Sequence, residues 1–273
     1  MVMIRVASLP GAGCVMGIML LILSGCSTAN LNSPERRQDF KPLGGDVSIQ
    51  QLQGEVLQTM DPLGRYQKHS AMEVTGTDVW ESTIIRWLTP LDENTQQFHA
   101  RLGLSRQQIE FTFLNGEKKG QTIGFDGKSY ERTGTRKRHR KSASISLYLG
   151  PLQCYLEWHQ TLMRHPALTL VGTTEINTIP YRVVYATQGP PTRDLAEYDQ
   201  YLIYINTRTN RIDYVEFTLR KLSRSYRGVV HYRDYKQVQG MLMPFWIGIG
   251  SDLAGPDFDH YFVIDHIEFS GLD

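Results

Sequence analysis

The chain has 273 residues, 41% of them hydrophobic, and its 29 Lys and Arg against 28 Asp and Glu give a formal net charge of +1. That balance excludes a global electrostatic pull toward nucleic acid or acidic substrates. Three cysteines in this length exclude a disulfide framework as the basis of the fold.

The first 25 residues carry one charge, Arg5, ahead of the apolar run Val15 to Leu23. The nine residues of that run reach only about 14 Å as a helix, against roughly 30 Å of bilayer hydrocarbon. The run is too short to span a membrane and suits the core of a secretion signal. It ends in Leu23-Ser24-Gly25-Cys26, which resembles the lipobox of bacterial lipoprotein precursors. The resemblance implies diacylglycerol on the Cys26 sulfur, cleavage before Cys26 and acylation of the new amino terminus. A thiolate is the nucleophile suited to lipid attachment, and two or three acyl chains anchor stably where one is marginal. In such lipoproteins an aspartate after the cysteine commonly marks inner-membrane retention, so Ser27 implies the periplasmic face of the outer membrane. Cys14 falls within the removed segment, which leaves Cys154 as the lone remaining thiol.

Residues 26–46 are expected to be the lipidated cysteine and a flexible tether, with Pro34, Pro42, Gly44 and Gly45 in a polar stretch and a reach of about 25 Å. A single β-rich domain is expected over 47–273. It opens with a helix, since Val47, Ile49, Leu52, Val56 and Leu57 recur at helical spacings and Asp61-Pro62 supplies a stop. From about Gln67 to Thr133 the pattern changes to strands. Ile109, Phe111 and Phe113 alternate with Glu110 and Thr112, the signature of a half-buried strand. Asn115-Gly116 and Asp126-Gly127 are hairpin-turn dipeptides. A second helix is predicted to open at Gly150-Pro151, with proline in the first turn where its missing N–H costs nothing. Its stripe is Leu152, Tyr155, Leu156, Leu162 and Met163, and Pro166 closes it. Strands are predicted near 168–175, 179–187, 200–206, 211–222, 225–237, 241–250 and 258–269. Over 201–205 both faces are apolar, so a helix or a bound apolar molecule must cover the second face.

This order of elements, with Tyr201–Arg211 (YLIYINTRTNR) and His231–Pro244 (HYRDYKQVQGMLMP), resembles the LolA/LolB-like lipoprotein-carrier superfamily. The sequence departs from that pattern at Asn206 and Gln239. The resemblance implies a mainly β (α+β) fold: a curved antiparallel sheet or half-barrel with one N-terminal helix and one inserted helix, its concave face able to hold acyl chains. The shared motifs are turn signals and carry no chemistry.

Catalytic constellations are wanting. No G-x-S-x-G or Walker sequence occurs, and Gly248–Asp252 fits neither motif. Cys154, in the second helix, is expected to pack in the core. Among Asp257, Asp259, His260, Asp265 and His266, the two histidines share a strand face but lie about 20 Å apart, so they cannot hold one metal ion. His159 and His165 lie nearly opposite on a helix. No metal, cofactor or catalytic residue is therefore assigned, and the chain is taken as a binding protein rather than an enzyme. Arg136, Lys137, Arg138, Arg140 and Lys141 form either a solvated loop or a contact for anionic head groups. Trp87, Phe111, Phe113, Phe245 and Ile247, on the apolar sides of strands, are the candidate groove residues. The leading reading is an anchored lipoprotein sheltering a lipid or acyl chain. The alternatives are an interaction or sensor lipoprotein engaging an envelope protein and, behind both, an envelope hydrolase.

Overall fold

The computed structural model describes residues 28–43, 47–104, 106–133, 136–138, 142–187 and 197–272. The segment 1–25 expected to be a secretion signal, Cys26, Arg140 and Lys141 lie outside the described residues. The strands are β1 (His69–Trp80), β2 (Thr95–Gly103), β3 (Gln108–Phe113), β4 (Thr122–Phe125), β5 (Ser129–Thr133), β6 (Arg136–Arg138), β7 (Leu168–Ile176), β8 (Ile179–Thr187), β9 (Gln200–Asn206), β10 (Ile212–Thr218), β11 (Arg227–Val238), β12 (Met241–Gly250) and β13 (His260–Leu272). They form one 13-stranded antiparallel sheet in the order β6-β5-β4-β3-β2-β1-β13-β12-β11-β10-β9-β8-β7, and it does not close. The fold is mainly β, as predicted.

Turn chemistry sets much of this register. Gln239 and Gly240 both take positive φ (49° and 83°) and join Val238 to Met241, the two-residue turn whose twist matches its strands. Asp126-Gly127 lies in the short β4–β5 turn, with Gly127 at φ 86° and Phe125 opposite Ser129. Asn115-Gly116 differs from expectation, lying in the longer connection 114–121 rather than in a tight hairpin. There Asn115 Oδ1 accepts from the Gln97 N–H at 2.8 Å and its amide donates to the Thr95 carbonyl at 2.9 Å, docking the loop onto β2.

Four helices accompany the sheet among the described residues: α1 (Pro34–Arg37), α2 (Ile49–Met60), α3 (Thr83–Arg86) and α4 (Ala143–Thr161). Helix α2 starts at the Ser48 cap, stops at Asp61 and buries Leu52, Val56 and Met60. Helix α4 begins at Ala143, seven residues before the predicted opening at Gly150, with Ser142 accepting from the Ile145 N–H. Pro151 is therefore inside the helix, where it removes the bond that an N–H would give to the Leu147 carbonyl. Burial of Ile145, Tyr148 and Leu149 in the two turns before it offsets that loss and carries the helix through. At roughly 1.5–3 kcal/mol for each large apolar side chain, three such residues exceed the cost of about 3 kcal/mol for an interior proline.

Helix α4 packs against the inward face of the sheet. Tyr148 meets Phe111 edge-on at 5.5 Å, and Trp158 lies 5.0 Å from Phe217 and 5.2 Å from Tyr201. Polar ties fix the helix as well: Tyr232 OH donates to the Tyr155 carbonyl at 2.8 Å, and Gln160 donates to the Leu242 carbonyl at 3.0 Å.

The other face of β7 to β10 is covered by residues 28–43, which were expected to form a flexible tether. Over that range they are a packed strap. Leu31 and Phe40 join a second apolar cluster with Tyr181, Val183, Leu202 and Tyr204. Lys41 and Thr173 exchange backbone hydrogen bonds of 2.8 Å. Arg36 donates to the buried Glu216 at 2.6 Å, and Tyr204 OH donates to the same oxygen at 2.9 Å. The apolar outer side of β9 demanded a cover, and the strap supplies one with two anchors set among polar residues. At Gly172 a Cβ would lie 2.5 Å from the Lys41 carbonyl oxygen, so the close approach requires glycine.

One strand departs in phase. Thr75 pairs with His266 but Gly76 with Ile264, which leaves Asp265 as an extra residue in β13. This bulge turns His260 inward and His266 outward, so the two histidines do not share a face as predicted.

Candidate functional site, a cleft along helix α4

Helix α4 does not fill all the space beside the inward face. A cleft of about 550 Å³ lies along α4, lined beyond the helix by Tyr201 of β9, Phe217 of β10, Phe125 and Gly127. The helix contributes Ser146, Gly150, Cys154, Glu157 and Trp158 to its lining. Ser146, Gly150 and Cys154 are four residues apart and so stack on one face, where their small side chains hold the wall back. That triplet is the sequence signal that could have located the cleft.

Leu147, Pro151, Tyr155, Leu219 and Leu222 are shared with an adjoining cavity of about 120 Å³, which ends on Trp80, Tyr148 and His260. Beneath this end lies a buried polar hub. Asp78 accepts from Trp80 Nε1 at 2.8 Å, from Tyr148 OH at 2.7 Å and from His260 Nδ1 at 2.9 Å. His260 also stacks on Trp80 with ring centres 4.0 Å apart. These bonds tie α4 to β1 and β13, and they satisfy a carboxylate that burial would otherwise penalise heavily. Asp78 follows Met72, Val74 and Gly76 at the inward positions of β1, so a charge in an apolar phase was its legible signal.

Burial sets the chemistry of the cleft lining. Burial pushes the Cys154 thiol up to about 12, so a neutral thiol lines the wall and a thiolate nucleophile does not. Burial likewise raises the Glu157 carboxyl to about 7, against the opposing effect of hydrogen bonds from Tyr66 OH and Gln153. Arg106 and Lys221 add cationic side chains to the same lining. Among the described residues, no three His, Cys, Asp or Glu side chains are grouped to hold a metal ion. No helix among them is long and apolar enough to cross a membrane.

The predicted groove residues fall elsewhere. Phe111, Phe113 and Ile247 are buried in the main core. Phe245 is partly buried, with Lys236 Nζ 4.1 Å above its ring, and Trp87 stands exposed just beyond α3. None of these lines the cleft: Phe111, Phe113 and Ile247 lie where side chains and the inserted helix pack the inward face, and Trp87 follows a short helix instead of sitting on a strand. Arg136, Lys137 and Arg138 form the exposed edge strand β6, where cations discourage edge-to-edge pairing.

No family model matches the chain, and no curated protein does. Solved structures do show similarity. A LolA superfamily protein from Nitrosomonas europaea matches at 12% identity over 83% of this chain and 96% of its own, with a TM-score of 0.49. A putative outer membrane lipoprotein-sorting protein domain from Vibrio parahaemolyticus matches at 11% identity over 81% and 93%, with a TM-score of 0.46. A DUF1329 family protein from Desulfovibrio piger matches at 10% identity over 81% and 92%, with a TM-score of 0.49. At TM-scores below 0.5 these likenesses do not place the chain in a family.

Proposed function

We propose that the chain is an envelope lipoprotein, anchored through lipid on Cys26 at the periplasmic face of the outer membrane, that shelters an acyl chain or comparable apolar molecule in the cleft along α4. The cleft carries this reading. Its volume of about 550 Å³ falls within the roughly 300–1,000 Å³ of small-molecule sites, and Trp158, Tyr201, Phe217 and Leu222 give it apolar walls. Each methylene withdrawn from water contributes about 0.8 kcal/mol, so about ten of them supply on the order of 8 kcal/mol before ordering costs. Arg106 and Lys221 are placed to meet a carboxylate or phosphate head. The anchor rests on the lipobox-like Leu23–Cys26, and Cys26→Ala is expected to abolish incorporation of labelled palmitate.

The deciding experiment is native mass spectrometry of the purified chain with extraction of bound molecules. A stoichiometric acyl-containing species is expected. Gly150→Trp is the matched variant, because a Cβ at Gly150 meets nothing within 4 Å and leaving glycine favours the helix. It is expected to exclude the ligand and keep the fold. Unchanged occupancy in Gly150→Trp, or a wild-type chain that is empty and takes up no fluorescent fatty acid, would refute the cleft.

A further inference from the structure

The strap is tied to the β10–β11 loop almost as soon as it begins. The Ala29 N–H donates to the Arg224 carbonyl at 3.0 Å, and the Arg220 guanidinium donates to the Ala29 carbonyl. Leu31 N–H then donates to the buried Gln200 Oε1 at 2.8 Å. Ala29 is three residues past Cys26, and three residues of extended chain span at most about 11 Å. A lipid on Cys26 is thereby confined to the neighbourhood of this loop, well inside the roughly 25 Å of a free tether.

The loop, residues 219–226, reads LRKLSRSY and carries Arg220, Lys221 and Arg224 with no carboxylate. Its Leu222 is 46% exposed. Leu219 and Leu222 wall the smaller cavity together with Leu147 of α4 and with Ile85 and Leu88 at α3. Around α3, Ile84, Trp87 and Leu88 are 69%, 71% and 63% exposed. Apolar side chains from three separate segments thus meet at the smaller cavity that adjoins the cleft, with the cations of the 219–226 loop beside them and the start of the strap bonded to that loop.

We propose that this rim is a membrane-docking surface, seated on the anionic phospholipid of the bilayer that holds Cys26, so that the cleft opens toward that bilayer. The inference rests on the lipid-anchor reading above. A bilayer is the occupant that the geometry favours, because the strap fixes the rim beside the anchor. Exposed tryptophan and apolar side chains flanked by cations suit the membrane interface, and cations are drawn to anionic head groups within a Debye length.

The test uses the full lipidated chain in vesicles of phosphatidylethanolamine and phosphatidylglycerol, brominated near the glycerol end of their acyl chains. Flotation reports the anchor, and tryptophan quenching reports docking. Trp80 and Trp158 are buried and Trp246 is half-buried against Phe258 and Tyr261, so Trp87 is the exposed reporter at the rim and Trp87→Phe separates its signal from theirs. The expected result is flotation with quenched, blue-shifted emission, and loss of that quenching in both Trp87→Phe and the pair Lys221→Glu with Arg224→Glu. A chain that floats with its Trp87 emission unquenched overturns the docking surface while keeping the anchor, and leaves the rim for a protein partner. A chain that does not float overturns the anchor reading and this inference with it.

Discussion

Glu157 lies on the cleft side of α4, where burial opposes its charge and two donors, Tyr66 and Gln153, only partly offset that opposition. Its folded pKa stands at about 7, above the ordinary 4.5. Between those values the folded state holds a proton that the unfolded state has released, so this group's contribution to stability falls as pH rises from 4.5 to 7. At about 1.4 kcal/mol per unit, and discounting for partial exposure, the loss is roughly 2 kcal/mol. Glu157→Gln keeps the shape and removes the titration. Urea unfolding at pH 5 and pH 8 is expected to show the variant losing less stability than the parent chain between the two. Equal losses would mean that water reaches the carboxylate freely.

At the scale of elements, the strands were legible because the apolar period of two is local, and the Asp126-Gly127 and Gln239-Gly240 turns lie where turn chemistry allows. The start of α4 was not legible. Pro151 imitates a first-turn proline, and only the burial of Ile145, Tyr148 and Leu149 against distant strands shows that the helix is already running. The strap was hidden for the same reason. Leu31 and Phe40 lie nine residues apart in polar sequence, and their value comes from Leu202 and Tyr204 on β9. The cleft inherited both difficulties, since the strand pattern shows which side faces inward but not where the helix leaves room. The strap's dependence on close approach can be measured. Gly172→Val would drive a side chain into the Lys41 carbonyl and load a backbone held at φ 155°, a conformation that favours glycine. Trypsin cleavage at Arg36 and Arg37 is expected to accelerate severalfold with the sheet still folded, and an unchanged cleavage rate would show that the strap shifts to accept the side chain.

At the scale of the whole molecule, an open sheet must cover two faces, and it uses different parts of the chain for each. The inserted helix packs the inward face, the strap covers the outer side of β7 to β10, and a cleft remains along one flank of α4. A ligand that fills this cleft binds the folded chain alone, because its walls come from α4, β9 and β10 and exist only when those elements meet. Such binding stabilises by mass action, by about 2.7 kcal/mol at a free ligand concentration of 100 Kd. For a chain of this size that corresponds to a rise of roughly 5–10 °C in Tm. A long-chain fatty acid is therefore expected to raise the Tm of the parent chain in a concentration-dependent way and to leave Gly150→Trp unmoved. A non-specific detergent effect would shift both alike, and a ligand held elsewhere on the surface would stabilise the two proteins equally. The difference between the two thermal curves thus reports occupancy of the cleft itself, whether or not the chain is anchored to a membrane.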